Sequence, residues 1–210
     1  MSGDVQVRFC ERPGVKSPRA THRNVYVQSK RAGNRVMGLL QRLYAKLRLR
    51  INESKSAVDL ATNRRLLGYS FWVAPGRVVK LRVADKALKA MKERVRQITR
   101  RTRGRSLAQV AFNLRGYLVG WKSYFCLAST PKVFRRMDEW IRHRLRAIQL
   151  KHWKRGRVIY RELRARGLSE QTAATVAGNG RRWWRSSAMA IHVALPNELF
   201  DGLGVPRLAA

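Results

Sequence analysis

The chain has 210 residues, room for one domain or two small ones, and its 46 Lys and Arg against 12 Asp and Glu leave a formal net charge of +34. With 45% apolar residues and six each of Trp, Tyr and Phe it can bury a core, which excludes a basic disordered tail. A charge of this size repels itself until a polyanion screens it, so nucleic acid is the first partner to consider and an anionic membrane surface the second.

In chain order, residues 1 to 23 hold two prolines and no sustained period, and are expected to be irregular or disordered and without function. NVYVQ (24 to 28) reads as a short strand. After Gly33, Val36, Leu39, Leu40, Leu43 and Leu47 recur at helical spacing with Arg35, Arg42, Lys46 and Arg48 around them, an amphipathic helix. SAVDL and RLLGYSFWV follow as strands, and APGR suits a hairpin turn into VVKLRV. The order over 24 to 84 is thus β-α-β-β-β.

From Asp85 the pattern is helical only. Leu88, Met91, Val95 and Ile98 stripe a helix that Asp85 can cap and Gly104 can end, with Arg100, Arg101 and Arg103 in its last turn. Ser106 can cap a second helix with Leu107, Val110, Leu114, Leu118 and Trp121 inward. Thr130 and Pro131 start a third, striped by Phe134, Met137, Ile141, Leu145 and Ile148 and running to about His152. Two weaker helices follow, one over Val158 to Arg166 closed by Gly167, the other begun by Ser169 and ended near Gly178. RRWWRSS, an apolar AMAIHVAL and a Gly/Pro-spaced tail complete the chain. The fold class expected is α+β, mostly α.

No apolar run approaches the roughly 18 residues that cross a bilayer, and MSGDVQVRFCERPG at the N-terminus lacks a signal-peptide core; an intracellular chain without a membrane partner is expected. Cys10 and Cys126 have no second cysteine at metal-ligand spacing, and Cys126, between Phe125 and Leu127, is expected to be a small buried residue. Ten of the acids stand singly. The adjacent Asp138 and Glu139 point about 100° apart on a helix and are poorly placed to chelate one ion; ion pairs to Arg135, Arg136 or Arg142 account for them better. The four histidines lack a Ser or Cys elbow, and GNGRR at 178 to 182 lacks the context of a phosphate loop. No independent active site, metal site or bound cofactor is therefore expected.

Cations interleaved with indoles are a different signal. Residues 86 to 157 hold 21 Lys and Arg against three acids, and residues 158 to 210 hold seven against four, so the polyanion surface belongs mainly in the middle. KHWKRGR (151 to 157) and RRWWR (181 to 185) allow phosphate pairing beside base stacking. Trp121 and Trp140 read as core; Trp153, Trp183 and Trp184 divide between core and contact, with one of the adjacent pair packed inward. The candidate RNA contacts are Arg100, Arg101, Arg103 and Arg105; Lys122, Arg135 and Arg142; Lys151, Trp153, Lys154 and Arg155; and Arg181, Arg182, Trp183, Trp184 and Arg185.

NVYVQSKRAGNRVMGLLQRLYAKLRLRINESKSAV, RLLGYSF, LRGYLVGWKSYF, GRRWWRSS and LPNELFDGLGVPRL together resemble the C-terminal part of a bacterial group II intron reverse transcriptase/maturase over about 24 to 208. The resemblance implies a palm remnant at 24 to 84, a basic helical thumb at 85 to 153 and a maturase-specific region at 154 to 210, with 1 to 23 an unmatched leader. It assigns Lys55 to the nucleotide site and Leu67, Gly68, Tyr69 and Phe71 to the hairpin that grips a primer end. That family uses Mg²⁺ for RNA-directed DNA polymerisation. In it, Tyr-Ala-Asp-Asp immediately precedes the strand that reads NVYVQ here, whereas this chain has PRATHR (18 to 23) without either aspartate. The implied function is RNA binding that assists group II intron folding and splicing, in the bacterial cytoplasm with nucleoid or ribonucleoprotein association. RNA is the expected partner, with an RNA/DNA duplex also in view. Two rivals stay open: half of a split polymerase completed by an upstream fragment, and a basic protein that neutralises any RNA.

Overall fold

A computed structural model describes residues 5–10, 22–52, 56–101, 104–179 and 182–209. The chain divides at Ala84/Asp85 into two compact units, the first mixed and the second helical, an α+β architecture dominated by helix.

The first unit holds two three-stranded antiparallel sheets. In one, β1 (Val5–Cys10) lies between β2 (His22–Val27) and β3 (Ala57–Leu60), with Val7 opposite Val25 on one side and Val58 on the other. This corrects the expectation of irregular chain at Val5–Cys10 and at residues 22 and 23, the rest of 1–23 lying outside the described residues. VQVRFC alternates apolar and polar residues, a period-2 signal that the neighbouring prolines obscured, and β1 supplies backbone partners to both neighbours. The second sheet orders β4 (Arg65–Leu66), β5 (Tyr69–Ala74) and β6 (Val78–Val83). Leu66 pairs with Tyr69 across a two-residue turn in which Leu67 (φ 51°) and Gly68 (φ 81°) are both left-handed, as a type I′ hairpin requires. The APGR turn joins β5 to β6, with Ala74 paired to Val78.

Helix α1 (Lys30–Lys46) starts at Ser29, whose hydroxyl accepts from the Ala32 N–H at 3.2 Å. Its buried positions are Gly33 and Tyr44, while Leu39, Leu43 and Leu47 are exposed. The apolar stripe read from the sequence is thus split between two faces.

The second unit is built from α2 (Asp85–Ile98), α3 (Leu107–Tyr124), α4 (Pro131–Trp153), α5 (Gly156–Ala165), α6 (Glu170–Gly178), α7 (Trp183–Ser187) and α8 (Asn197–Gly202). Its core gathers Met91 and Val95 of α2, Leu114 and Leu118 of α3, Ile141 and Leu145 of α4, Leu163 of α5, and Ile191, Leu195 and Phe200 from the tail. Full burial of each large side chain contributes about 1.5–3 kcal/mol relative to exposure. The central element is α4, which touches α3, α5, α7 and α8. Trp121 and Phe134 join α3 to α4 edge to face at 5.8 Å.

Several local expectations change. α2 ends at Ile98 rather than at Gly104, so Arg100 and Arg101 lie in a loop and not in a helical last turn. Just past that end, the Thr99 hydroxyl donates to the Val95 carbonyl at 2.6 Å and accepts from Arg144 Nε at 2.6 Å. Ser106 caps α3 as expected, accepting from the Gln109 N–H at 3.2 Å. Pro131 opens α4 as expected, but the Thr130 side chain makes no capping bond. Cys126 is exposed, because Phe125 at the end of α3 turns inward onto Trp121 at 4.6 Å and the following turn points the thiol outward. Trp140 is half-buried between the guanidinium groups of Arg96 and Arg144, 5.8 and 5.3 Å from its ring centroid. The tail contains two helices, α7 and α8, in a stretch for which the sequence gives no individual element. Among the described residues no helix is long and apolar enough to cross a membrane.

Candidate nucleic-acid interface

Between α2 and α3 the described residues include Arg100, Arg101 and Arg105 and no acid, and the end of α4 holds this stretch. Arg144 grips Thr99, the Lys151 ammonium donates to the Arg101 carbonyl, and His152 is hydrogen-bonded to the Arg105 backbone. On α4, residues 151 and 152 lie three and four positions past 148 and so flank the same face. Trp183, at the start of α7, lies against the same place, its ring centroid 5.8 Å from the Arg101 guanidinium and 5.7 Å from the Lys151 ammonium.

These elements enclose a groove of about 770 Å³. Arg100, Arg101, Arg105, Lys151 and Lys154 line it with His152 and Trp183, over an apolar floor of Val110 and Ile148. No carboxylate is among the lining residues. Five permanent cations on one concave wall create a potential that only anions relieve, and an indole beside them offers a stacking face. Desolvation lowers the His152 pKa; the Arg105 backbone bond opposes this and the charges of Lys151 and Lys154 add to it. These effects bias the imidazole toward its neutral form, and an anion in the groove would work against that bias.

The groove collects six of the candidate contacts read from the sequence: Arg100, Arg101, Arg105, Lys151, Lys154 and Trp183. Arg103, Arg181 and Lys55 lie outside the described residues. Lys122 is elsewhere, donating to the Arg207 carbonyl at 2.9 Å. Arg135 is exposed on α4 and borders a concavity of mixed charge with Asp138, Glu139 and Arg207. Trp153 packs beneath the Arg166 guanidinium at 5.1 Å. Arg155, Arg182 and Arg185 are exposed and do not line the groove. The adjacent indoles part as expected. Trp183 is the more buried, whereas Trp184 is exposed and stacks on His143 at 3.8 Å, its carbonyl 3.0 Å from His143 Nε2.

Arg142 is a correction. Only 3% exposed, it donates to Asp201 Oδ1 at 2.6 Å and to the carbonyls of Val205 and Pro206. It is a staple for the C-terminal segment, since a buried guanidinium must spend its donors on fixed acceptors. Arg146 acts similarly, donating to the Leu195 carbonyl and Asn197 Oδ1, each at 2.9 Å. Asp138 does not pair with its helical neighbours either; it accepts from the Leu208 and Ala209 N–H groups at 2.9–3.0 Å. His152 is the groove residue left out of the sequence-based set, although its spacing from Ile148 placed it on that face.

In the first unit, Leu67 is 73% exposed at its turn. Tyr69 and Phe71 are half-buried on β5, and Phe71 meets Tyr26 edge to face at 6.4 Å. Among the described residues no three His, Cys, Asp or Glu side chains converge as a metal site.

Residues 88–167 match the family model of the group II intron maturase-specific domain. No curated protein matches the chain. The matched span runs from within α2 past the end of α5 and contains every cation of the groove; Trp183 lies beyond it. It overlaps both the stretch that the resemblance assigns to a thumb and the first residues of the one it assigns to a maturase region.

Proposed function

We propose that this chain is an RNA-binding maturase module that grips group II intron RNA through the groove between the 99–106 loop, the end of α4 and Trp183. The observation that carries the proposal is the grouping of five permanent cations, with no acid among them, around one concavity inside the matched span. Phosphates position the RNA there, and Trp183 adds a stacking face. Splicing assistance of this kind needs binding and no side-chain chemistry, because the reacting groups belong to the RNA. Residues 24 to 84 fit a palm remnant by sequence, with Leu67 to Phe71 as a former primer hairpin. The catalytic aspartate pair is absent from the two positions before NVYVQ (24 to 28), which hold His22 and Arg23, so the chain alone is not expected to extend a primer.

The test is binding of the full chain to group II intron RNA and to an unrelated folded RNA of equal length, across a salt series. The expected log–log slope against salt is about −4 to −5 if each groove cation meets one phosphate. Arg100→Glu with Lys154→Glu should flatten it by roughly two units, and the intron RNA should bind more tightly. Salt-insensitive binding would refute the groove, and equal affinity for both RNAs would favour the non-specific basic protein. Deoxynucleotide incorporation by the chain mixed with an upstream polymerase fragment would favour the split enzyme.

A further inference from the structure

A second concavity opens between α2 and α3. Arg94 and Gln97, one turn apart on α2, face Asn113 and Tyr117, one turn apart on α3, and Ile98 and Arg105 complete a space of about 470 Å³. That volume is within the range of sites that hold a small organic group, roughly 300–1,000 Å³. Arg105 also lines the basic groove, so the two spaces meet at that residue.

Their chemistry differs. The groove is a wall of charge, whereas this concavity pairs two carboxamides with a phenol, and no acid lines it. Arg94 Nη1 donates to Gln97 Oε1 at 3.2 Å, which orients that amide and leaves its NH₂ to donate elsewhere. The Asn113 amide is half-buried and makes no hydrogen bond to a described residue. Tyr117 is half-buried as well; desolvation raises its phenol pKa despite the nearby Arg94, so it remains a neutral O–H with an aromatic face. Phosphate recognition needs only the cations. Neutral amides offering a donor and an acceptor side by side match the edge of a base, and adenine presents that donor–acceptor pairing on two edges.

We propose that this concavity receives an unpaired adenine of the bound RNA. The Asn113 and Gln97 amides meet the base edge, Tyr117 flanks the ring, and Arg105 holds the phosphate that links the base to the groove. The inference rests on the groove being an RNA site and adds a base preference to it.

The experiment uses the full chain and three short RNA hairpins: one fully paired, one with a single bulged adenosine, and one with a bulged uridine at the same place. The bulged-adenosine hairpin should bind about tenfold tighter than the paired one, the discrimination of one bidentate amide contact, and several-fold tighter than the bulged-uridine hairpin. Asn113→Ala, at a helical position where alanine is well tolerated, should erase that advantage and leave both paired-hairpin affinity and salt slope unchanged. Gln97→Ala should do so in part. Arg100→Glu should weaken all three RNAs alike. Equal binding of the three hairpins by the wild type, or a uniform loss for Asn113→Ala, would overturn the base pocket and leave the groove standing. Absence of salt-dependent binding to any hairpin would overturn the groove, and the pocket with it.

Discussion

Arg142, Arg144 and Arg146 alternate along α4, and each is committed inside the protein. Arg142 holds Asp201 and two tail carbonyls, Arg144 holds Thr99, and Arg146 holds the Leu195 carbonyl and Asn197. The desolvated setting, with Arg101 and Arg96 adding repulsion, pushes the Arg144 pKa down to about 10, still far above neutrality. Residue type alone did not distinguish these arginines from Arg100 or Lys154, because the distinction lies in whether carbonyls from a distant segment arrive beside the guanidinium. Arg142→Ala leaves the Val205 and Pro206 carbonyls without their guanidinium donor and leaves the part-exposed Asp201 to Arg207 alone. It is expected to destabilise the helical unit by about 3 kcal/mol, read by chemical denaturation. RNA affinity of the folded fraction should stay unchanged, and a selective loss of RNA binding with normal stability would restore Arg142 to the contact surface. Partial burial raises the Asp201 pKa, but hydrogen bonds from Arg207 and Arg142 outweigh it and hold the carboxyl below its ordinary value. Its contribution is thus complete above about pH 4 and is lost as the pH falls through the depressed value.

At the scale of elements, α5 and α6 meet where a side chain has no room. A Cβ on Gly156 would stand 2.9 Å from the Ala177 carbonyl oxygen, and a backbone atom cannot step aside as a flexible side-chain tip can. Gly156→Ala should therefore cost about 1–3 kcal/mol and lower the thermal midpoint of the helical unit by several degrees. Gly178→Ala, with nothing within 4 Å of the added carbon, should be neutral or slightly stabilising; equal midpoints for the two variants would count against this packing. Helices with a strong stripe were legible: the period in Met91, Val95 and Ile98, or in Met137, Ile141, Leu145 and Ile148, states which face is buried. β1 carries little local signal, six residues of alternation beside two prolines, and its pairing partners lie 12 or more residues away. α7 and α8 are too short to show a period, and tertiary contact around Ile191 and Phe200 stabilises what propensity does not.

For the molecule as a whole, the excess of positive charge becomes a binding device only where the fold concentrates it. The 99–106 loop is basic by composition, but the end of α4 and Trp183 turn it into a concave wall. A pH dependence follows. If RNA phosphates occupy the groove they oppose the depression of the His152 pKa, so binding should take up a proton and affinity should increase as the pH falls from 7.5 to 5.5. The same depression makes the free protein slightly less stable on the acid side of about pH 6.5, the usual histidine value, so circular dichroism must accompany the titration. His152→Gln should flatten the affinity profile, and an unchanged profile would remove the imidazole from the interface.

The large excess of positive charge, the α+β class and the buried faces of α2, α3 and α4 were written in the sequence, because net charge and hydrophobic period are local sums that survive any arrangement of the chain. Which cations stay free for a ligand was decided only by tertiary structure. That outcome depends on acceptors brought from 40 to 70 residues away, the Asp201 carboxylate and tail carbonyls for Arg142, the Thr99 hydroxyl for Arg144, and the Leu195 carbonyl and Asn197 amide for Arg146, while Arg100, Arg101, Arg105 and Lys154 line the groove.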